Sequence, residues 1–310
     1  MEIELTAFYS RLGSIVLILV LGFLLGKIKF IGKEVNKSLV NLLLSVFMPA
    51  SLFAAFPPSY DRDSANLFFS GIIAGLIVMA LLILLSKLLF NKKFVKSNNL
   101  RLESQFGLIF NNATFLGYPI VASTFGNQGI IAYCGFIIVF NVALFSYGIF
   151  LFKKKFNLKM FLQTITNPNI LAVILGMIVF FVGISLPSFI TDAIGFVSGA
   201  TTPLSIICVG YMLSTAHVAH LVKKWKLIIP AAAQLIIGPL ATFFTLRVLN
   251  FPDIVVAVCT LIQALPTATS LSLFATKYGG DEVESSELVV VSTLLSIVTL
   301  PIMITLLFGK

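Results

Sequence analysis

The chain has 310 residues, 58% of them hydrophobic and only 11% charged, at a mean hydropathy of +1.06, where soluble domains carry roughly 25% charged residues. This composition excludes an ordinary soluble enzyme and reads as an all-α polytopic membrane protein in contact with the lipid bilayer. The net charge of +9 does not point to nucleic acid, because the lysines sit in short loops between apolar runs, where they report orientation.

The first apolar run, Leu12 to Gly26, is short but long enough to span if Arg11 snorkels at one edge. Glu2 and Glu4 precede it and its lysines follow it, so it reads as a retained helix and not as a signal peptide. Further charge-free runs follow at Ser38 to Tyr60, Ser64 to Ser86, Ser104 to Phe152, Met160 to Thr191, Ala193 to Ala216, Leu227 to Leu246, Ile254 to Thr276 and Leu288 to Gly309. A helix needs about 20 residues to cross about 30 Å of hydrocarbon, so Ser104 to Phe152 holds two spans with a turn at Gly126 to Gly129, and the total is about ten.

The second span carries Asn41, Ser45 and Pro49. Pro49 should kink it, either to shape the bundle or to border a site. Glycines at four-residue spacing, Gly22 and Gly26, Gly71 and Gly75, Gly195 and Gly199, let helix backbones approach closely, inside one chain or across a dimer interface. Asn98, Asn99, Arg101 and Glu103 read as a wet cytoplasmic approach to the fourth span.

That fourth span, Phe110 to Gly126, places Asn111, Asn112 and Thr114 beside Gly117 and Pro119, which is poor material for one uninterrupted helix. A helix broken at bilayer depth must satisfy its freed backbone groups with protein, water or ligand. Asn141 in the fifth span either bonds a neighbouring helix or faces a site. Pro203 and Ser205 give the seventh span a kink like that of the second. Cys134, Cys208 and Cys259 lie singly within spans, without metal or disulfide spacing, and read as small buried residues. His217 and His220, beside Lys223, Lys224 and Trp225, read as a basic interface and not as a metal site.

The ninth span, Thr260 to Asp281, again sets a breaker, Pro266, among Gln263, Thr267, Thr269 and Ser270. Two such segments at corresponding places in two halves are the sequence pointer to a transporter site at the membrane midplane. At an offset of 154 (171 − 17), Leu17 meets Leu171, Leu21 meets Leu175, Gly22 meets Gly176, Pro49 meets Pro203 and Ser51 meets Ser205. At 153 (279 − 126), Phe125 and Gly126 meet Tyr278 and Gly279. The expectation is a repeat of five spans, residues 1–152 and 153–310, inverted because five is odd, with broken, crossing fourth and ninth helices.

With ten spans, Lys27, Lys29, Lys33, Lys37, Lys87, Lys92, Lys93, Lys96, Arg101, Lys153, Lys154, Lys155, Lys159, Lys223, Lys224, Lys226 and Lys277 fall on one side. Arg11, Arg62, Arg247 and Lys310 fall on the other. The first side is then cytoplasmic, both termini are outside, and the membrane is the plasma membrane, the inner one if the cell is bacterial. The loop with Asp281, Glu282, Glu284 and Glu287 should start the last helix, where carboxylates suit the positive dipole end.

The NNATFLGYPIVASTFG, ALPTATSLSLFATKYGGD and VSTLLSIVTLPI segments (111–126, 264–281 and 291–302) together resemble the auxin efflux carrier family, over nearly the whole chain. The short loop between the fifth and sixth spans resembles prokaryotic members. The resemblance implies a scaffold of helices 1, 2, 6 and 7, a mobile transport unit of helices 3 to 5 and 8 to 10, a homodimer and an elevator-like motion. It also implies that Asn112 faces substrate and that Pro266 breaks the ninth span, while Asn111 stands where plant members have proline.

From the residues, half-helix N-termini and amide donors without buried charge suit a small organic anion. The expected site is Asn111, Asn112, Thr114, Gly117, Pro119, Asn141, Gln263, Pro266, Thr267, Thr269 and Ser270, bordered on the scaffold side by Asn41, Ser45, Pro49, Pro203 and Ser205, with no metal and no cofactor. No titratable side chain falls centrally in any span, which disfavours a proton relay. Sodium coupling, as in the related bile-acid carriers, is the alternative. An intramembrane enzyme would need a catalytic constellation at depth that the sequence lacks, and a receptor would bind without flux.

Overall fold

The computed structural model describes residues 5–56, 61–154, 166–215 and 225–309. Among them it forms eleven helices and no strand. The helices are α1 (Leu5–Lys27), α2 (Lys33–Ala54), α3 (Arg62–Leu89), α4 (Asn98–Ile109), α5 (Ala113–Lys153), α6 (Pro168–Val182), α7 (Ser188–Ser214), α8 (Trp225–Val248), α9 (Asp253–Gln263), α10 (Ser270–Tyr278) and α11 (Glu282–Phe308). Among the described residues, seven stretches are long and apolar enough to cross a membrane, within α1, α2, α3, α5, α7, α8 and α11, and α6 and α9 are shorter apolar helices. The chain is a multi-pass membrane protein. His217 and His220 lie outside the described residues.

Sequence explains where helices start and bend. Asp61, Ser97, Asn167 and Asp281 accept N–H bonds at the heads of α3, α4, α6 and α11, as short polar side chains do at N-caps. The 41 residues of α5 would extend about 60 Å as one straight helix. Gly126 turns the chain instead, with φ 59° and ψ −152°, a conformation glycine adopts without steric penalty. In α2, residues 43–47 widen into a π-turn just ahead of Pro49, which has no N–H to offer the Ser45 carbonyl. In α7 the helix loosens at Ala200 (φ −81°, ψ −13°), three residues before Pro203.

α1 lies along α7, and α2 packs on α6 and α7; α3 lies along the second limb of α5, while α8 packs on α4, α9 and α11, and α10 on α11. Glycine sets the closest approaches. A Cβ at Gly22 would lie 2.4 Å from the Ile207 carbonyl oxygen, and one at Gly71 would lie 2.3 Å from that of Ala132. Gly26 and Gly75 are similarly occupied, by Ser214 and by Val139, so these two glycine pairs serve packing inside the chain, whereas Gly195 and Gly199 meet nothing. The three cysteines are buried and free.

One expectation is overturned. Glu103 is not in a wet approach: it is fully buried, because α4 is enclosed by α3, α8, α10 and α11.

Candidate functional site

α4 stops at Ile109 and the chain runs extended through Phe110 (φ −115°, ψ 106°) to Asn112, which caps α5 through its carboxamide oxygen on the Phe115 N–H, 3.2 Å. The second break separates α9 from α10 over residues 264–269. The two extended pieces meet. The Asn112 N–H donates to the Pro266 carbonyl (2.7 Å), the Ala268 N–H to the Phe110 carbonyl (2.9 Å), and Asn111 pairs with Thr267 as an isolated antiparallel bridge. Backbone groups freed by each break are thus satisfied by the other.

Buried side chains complete the junction. Asn111 Nδ2 donates to the carbonyls of Gln263 (2.8 Å) and Leu265 (3.2 Å). Gln234 Nε2 also donates to the Leu265 carbonyl, Thr267 Oγ1 donates to Gln234 Oε1, and the Thr267 N–H donates to Ser292 Oγ. Tyr133 braces the head of α5 through its hydroxyl on the Ala113 carbonyl.

A cavity of about 220 Å³ opens beside this junction. Of the residues expected from sequence, Ser45, Asn111, Asn112, Thr114, Asn141, Thr269 and Ser270 line it. Gln263, Pro266 and Thr267 stand behind it as the junction's own fabric; Gln263 is fully buried, with both carboxamide atoms unpaired. Gly117 and Pro119 are internal to α5, Gly117 closing on the Leu265 side chain. Asn41, Pro49, Pro203 and Ser205 do not reach the cavity. Nearby, Thr201 donates to the Phe47 carbonyl and shares a 2.6 Å hydrogen bond with Ser51, tying α7 to the π-turn of α2.

The sequence reading missed Asn167, Pro168 and Asn169, which also line the cavity. The available signal was Asn-Pro at a helix head, an N-cap followed by proline at the first helical position. With them, the N-termini of three helices, α5, α6 and α10, open on one cavity. Each presents the positive end of its dipole, with the Phe115 and Asn169 N–H groups already held by the Asn112 and Asn167 side chains and Pro168 offering none. No Asp, Glu, Lys, Arg or His is among the described residues that line it, and Phe115, Phe140 and Phe145 supply apolar wall. No group of three metal-ligating side chains occurs among the described residues.

A helical membrane protein with two broken helices joined at a cavity is a transporter geometry, and comparison with known proteins decides the family. The model of the family described as membrane transport protein matches residues 7–304. The chain belongs to this family, that of the auxin efflux carriers. Among its relatives, an uncharacterized transporter of Methanothermobacter thermautotrophicus is 26% identical over 298 residues, covering 93% of this chain and 95% of the relative. An uncharacterized transporter of Methanocaldococcus jannaschii is 29% identical over 275 residues, covering 85% and 87%. Membership of the auxin efflux carrier family makes this chain a membrane transport protein.

Proposed function

We propose that the protein is a secondary carrier of small organic anions, carboxylates or auxin-like acids, which bind at the α5, α6 and α10 helix heads. The observation that carries this is the convergence of three helix N-termini on a cavity with no charged side chain among the described residues that line it. A carboxylate there gains N–H donors and dipole attraction, without the desolvation cost of a buried lysine or arginine. Asn112, whose carboxamide oxygen is engaged by the Phe115 N–H, has its NH₂ left to donate.

The architecture in this reading is ten spans in two inverted repeats, with the described helices arranged so that α4 with the first limb of α5, and α9 with α10, are the broken fourth and ninth. Reciprocal contacts support it. Gly22 closes on the Ile207 carbonyl and Gly176 on the Phe53 carbonyl, and both partners of one contact become those of the other at the offset of 154 (22 to 176, 53 to 207). Gly126 and Gly279, matched at 153, both have positive φ, 59° and 93°. The set α1, α2, α6 and α7 is the scaffold and the remainder the moving unit of an elevator, with Ser45, Asn167 and Asn169 on the scaffold's side of the cavity. A homodimer and external termini belong to the same proposal.

Thermal shift across mono- and dicarboxylates, followed by tracer flux in proteoliposomes, tests it. Asn112→Ala should keep the fold and lose most flux and the ligand-induced shift. Wild-type flux from that variant would move the site elsewhere. A second reading, sodium-coupled symport, draws on the unpaired oxygens Asn111 Oδ1 and Asn169 Oδ1 at the cavity. Flux that requires sodium would favour it.

A further inference from the structure

Glu103 is the last charged residue before the charge-free run that begins at Ser104, and its side chain is fully buried. Oε1 accepts the Asp281 N–H at 3.2 Å, and Oε2 has no hydrogen-bond partner. The Ser285 hydroxyl, equally buried, is close enough to stabilise a charge there but lies outside hydrogen-bonding geometry, and has no bond of its own. Asp281 and Ser285 belong to the cap and first turn of α11. Glu103 therefore joins α4, the half-helix leading into the crossover, to the corner between α10 and α11.

Among the described residues, no cation offsets this carboxyl. The charges bearing on it are those of Asp281 and Glu284, both acidic. Lys277 of α10 and Lys153 at the end of α5 lie over the Tyr278 ring, at 5.7 and 5.1 Å, and Lys87 of α3 lies over the Tyr147 ring. Arg101, on the same helix, bonds Asn98, and Lys226 of α8 is exposed. An uncompensated buried carboxylate is unfavourable, whereas the acid form is not.

We propose that Glu103 is a proton-binding site whose occupancy latches α4 to the α10–α11 corner. Protonated on Oε2, the carboxyl donates to Ser285 Oγ and pairs two orphan atoms at once, while Oε1 keeps the Asp281 N–H. Ionised, it leaves a buried negative charge beside the more exposed Asp281 and Glu284, and the corner swings away about Gly279, whose φ of 93° marks the turn. Burial pushes the carboxyl up from 4.5 to about 7, with Ser285 and the Asp281 N–H pulling the other way. The folded state then holds the proton more tightly than the unfolded one, so the stabilising contribution is complete below about pH 4.5 and is lost as pH rises through about 7.

The test is hydrogen exchange of the amides of residues 279–287 at pH 6 and pH 8, corrected for intrinsic rates, on the whole protein. Wild type should lose roughly tenfold in protection between the two, following the fall in protonated fraction. Glu103→Gln should be protected equally at both, and Ser285→Ala should already be open at pH 6. Equal protection in wild type at both pH values, or a pH response surviving in Glu103→Gln, overturns the proposal. The carboxyl C=O infrared band of wild type gives a check without any variant: it should fade between pH 6 and 8, and a constant band overturns the latch.

Discussion

Asn111 and Asn112 are adjacent amides with opposite tasks. Asn111 is 1% exposed and spends both amide hydrogens on the Gln263 and Leu265 carbonyls; Gln234 also serves the Leu265 carbonyl, so the Gln263 carbonyl is the one that the break before Pro266 would otherwise strand. Asn112 uses only its oxygen, as a cap. Removing Asn111 strands the buried Gln263 carbonyl at about 1–3 kcal/mol, while removing Asn112 costs a cap, about 0.5–2 kcal/mol. We expect Asn111→Ala to lower the unfolding temperature of the detergent-solubilised protein more than Asn112→Ala, although both reduce flux. The opposite ranking would mean that the crossover is held by something other than the Asn111 staple.

At the scale of elements, the two breaks were legible because each sets amides and hydroxyls beside glycine or proline inside an apolar run, a pattern with no use in a lipid-facing helix. The third helix head was not. Asn167 and Pro168 fall inside the charge-free run Met160 to Thr191, which reads as one more span until packing on α2 brings the head of α6 to the cavity. Glu103 was misread for the same reason, since burial of a charge next to Arg101 is decided by which helices enclose α4. The glycine pairs were legible as close-packing sites, but only the fold separates Gly22, pressed on a backbone carbonyl, from Gly195, which touches nothing. A side chain at Gly22 cannot be absorbed by rotamer change, because its obstacle is backbone; overpacking of this kind costs about 1–3 kcal/mol. We expect Gly22→Val to destabilise the protein by that order in thermal unfolding and Gly195→Ala to stay within about 0.5 kcal/mol, as open sites do. Equal effects would mean that the α1–α7 contact yields more readily than its backbone spacing indicates.

For the whole molecule, a neutral cavity fixes how transport responds to voltage. When no protein charge moves with the substrate, a monovalent anion carries its own charge across the field, at about 2.3 kcal/mol per 100 mV. That is enough to sustain nearly a fiftyfold gradient, by the factor of ten per 1.4 kcal/mol. Under the anion-carrier reading, an inside-negative potential imposed with a potassium gradient and valinomycin should accelerate loss of a monocarboxylate from loaded proteoliposomes, and reversing the potential should slow it. A sodium-coupled carrier moving one cation per anion would instead be electroneutral, with rates that follow the sodium gradient and ignore the voltage. Equal efflux at zero and at imposed potential would therefore reject potential-driven transport while leaving the crossover and its cavity as the binding site, and the sodium dependence of the same vesicles would say what replaces it.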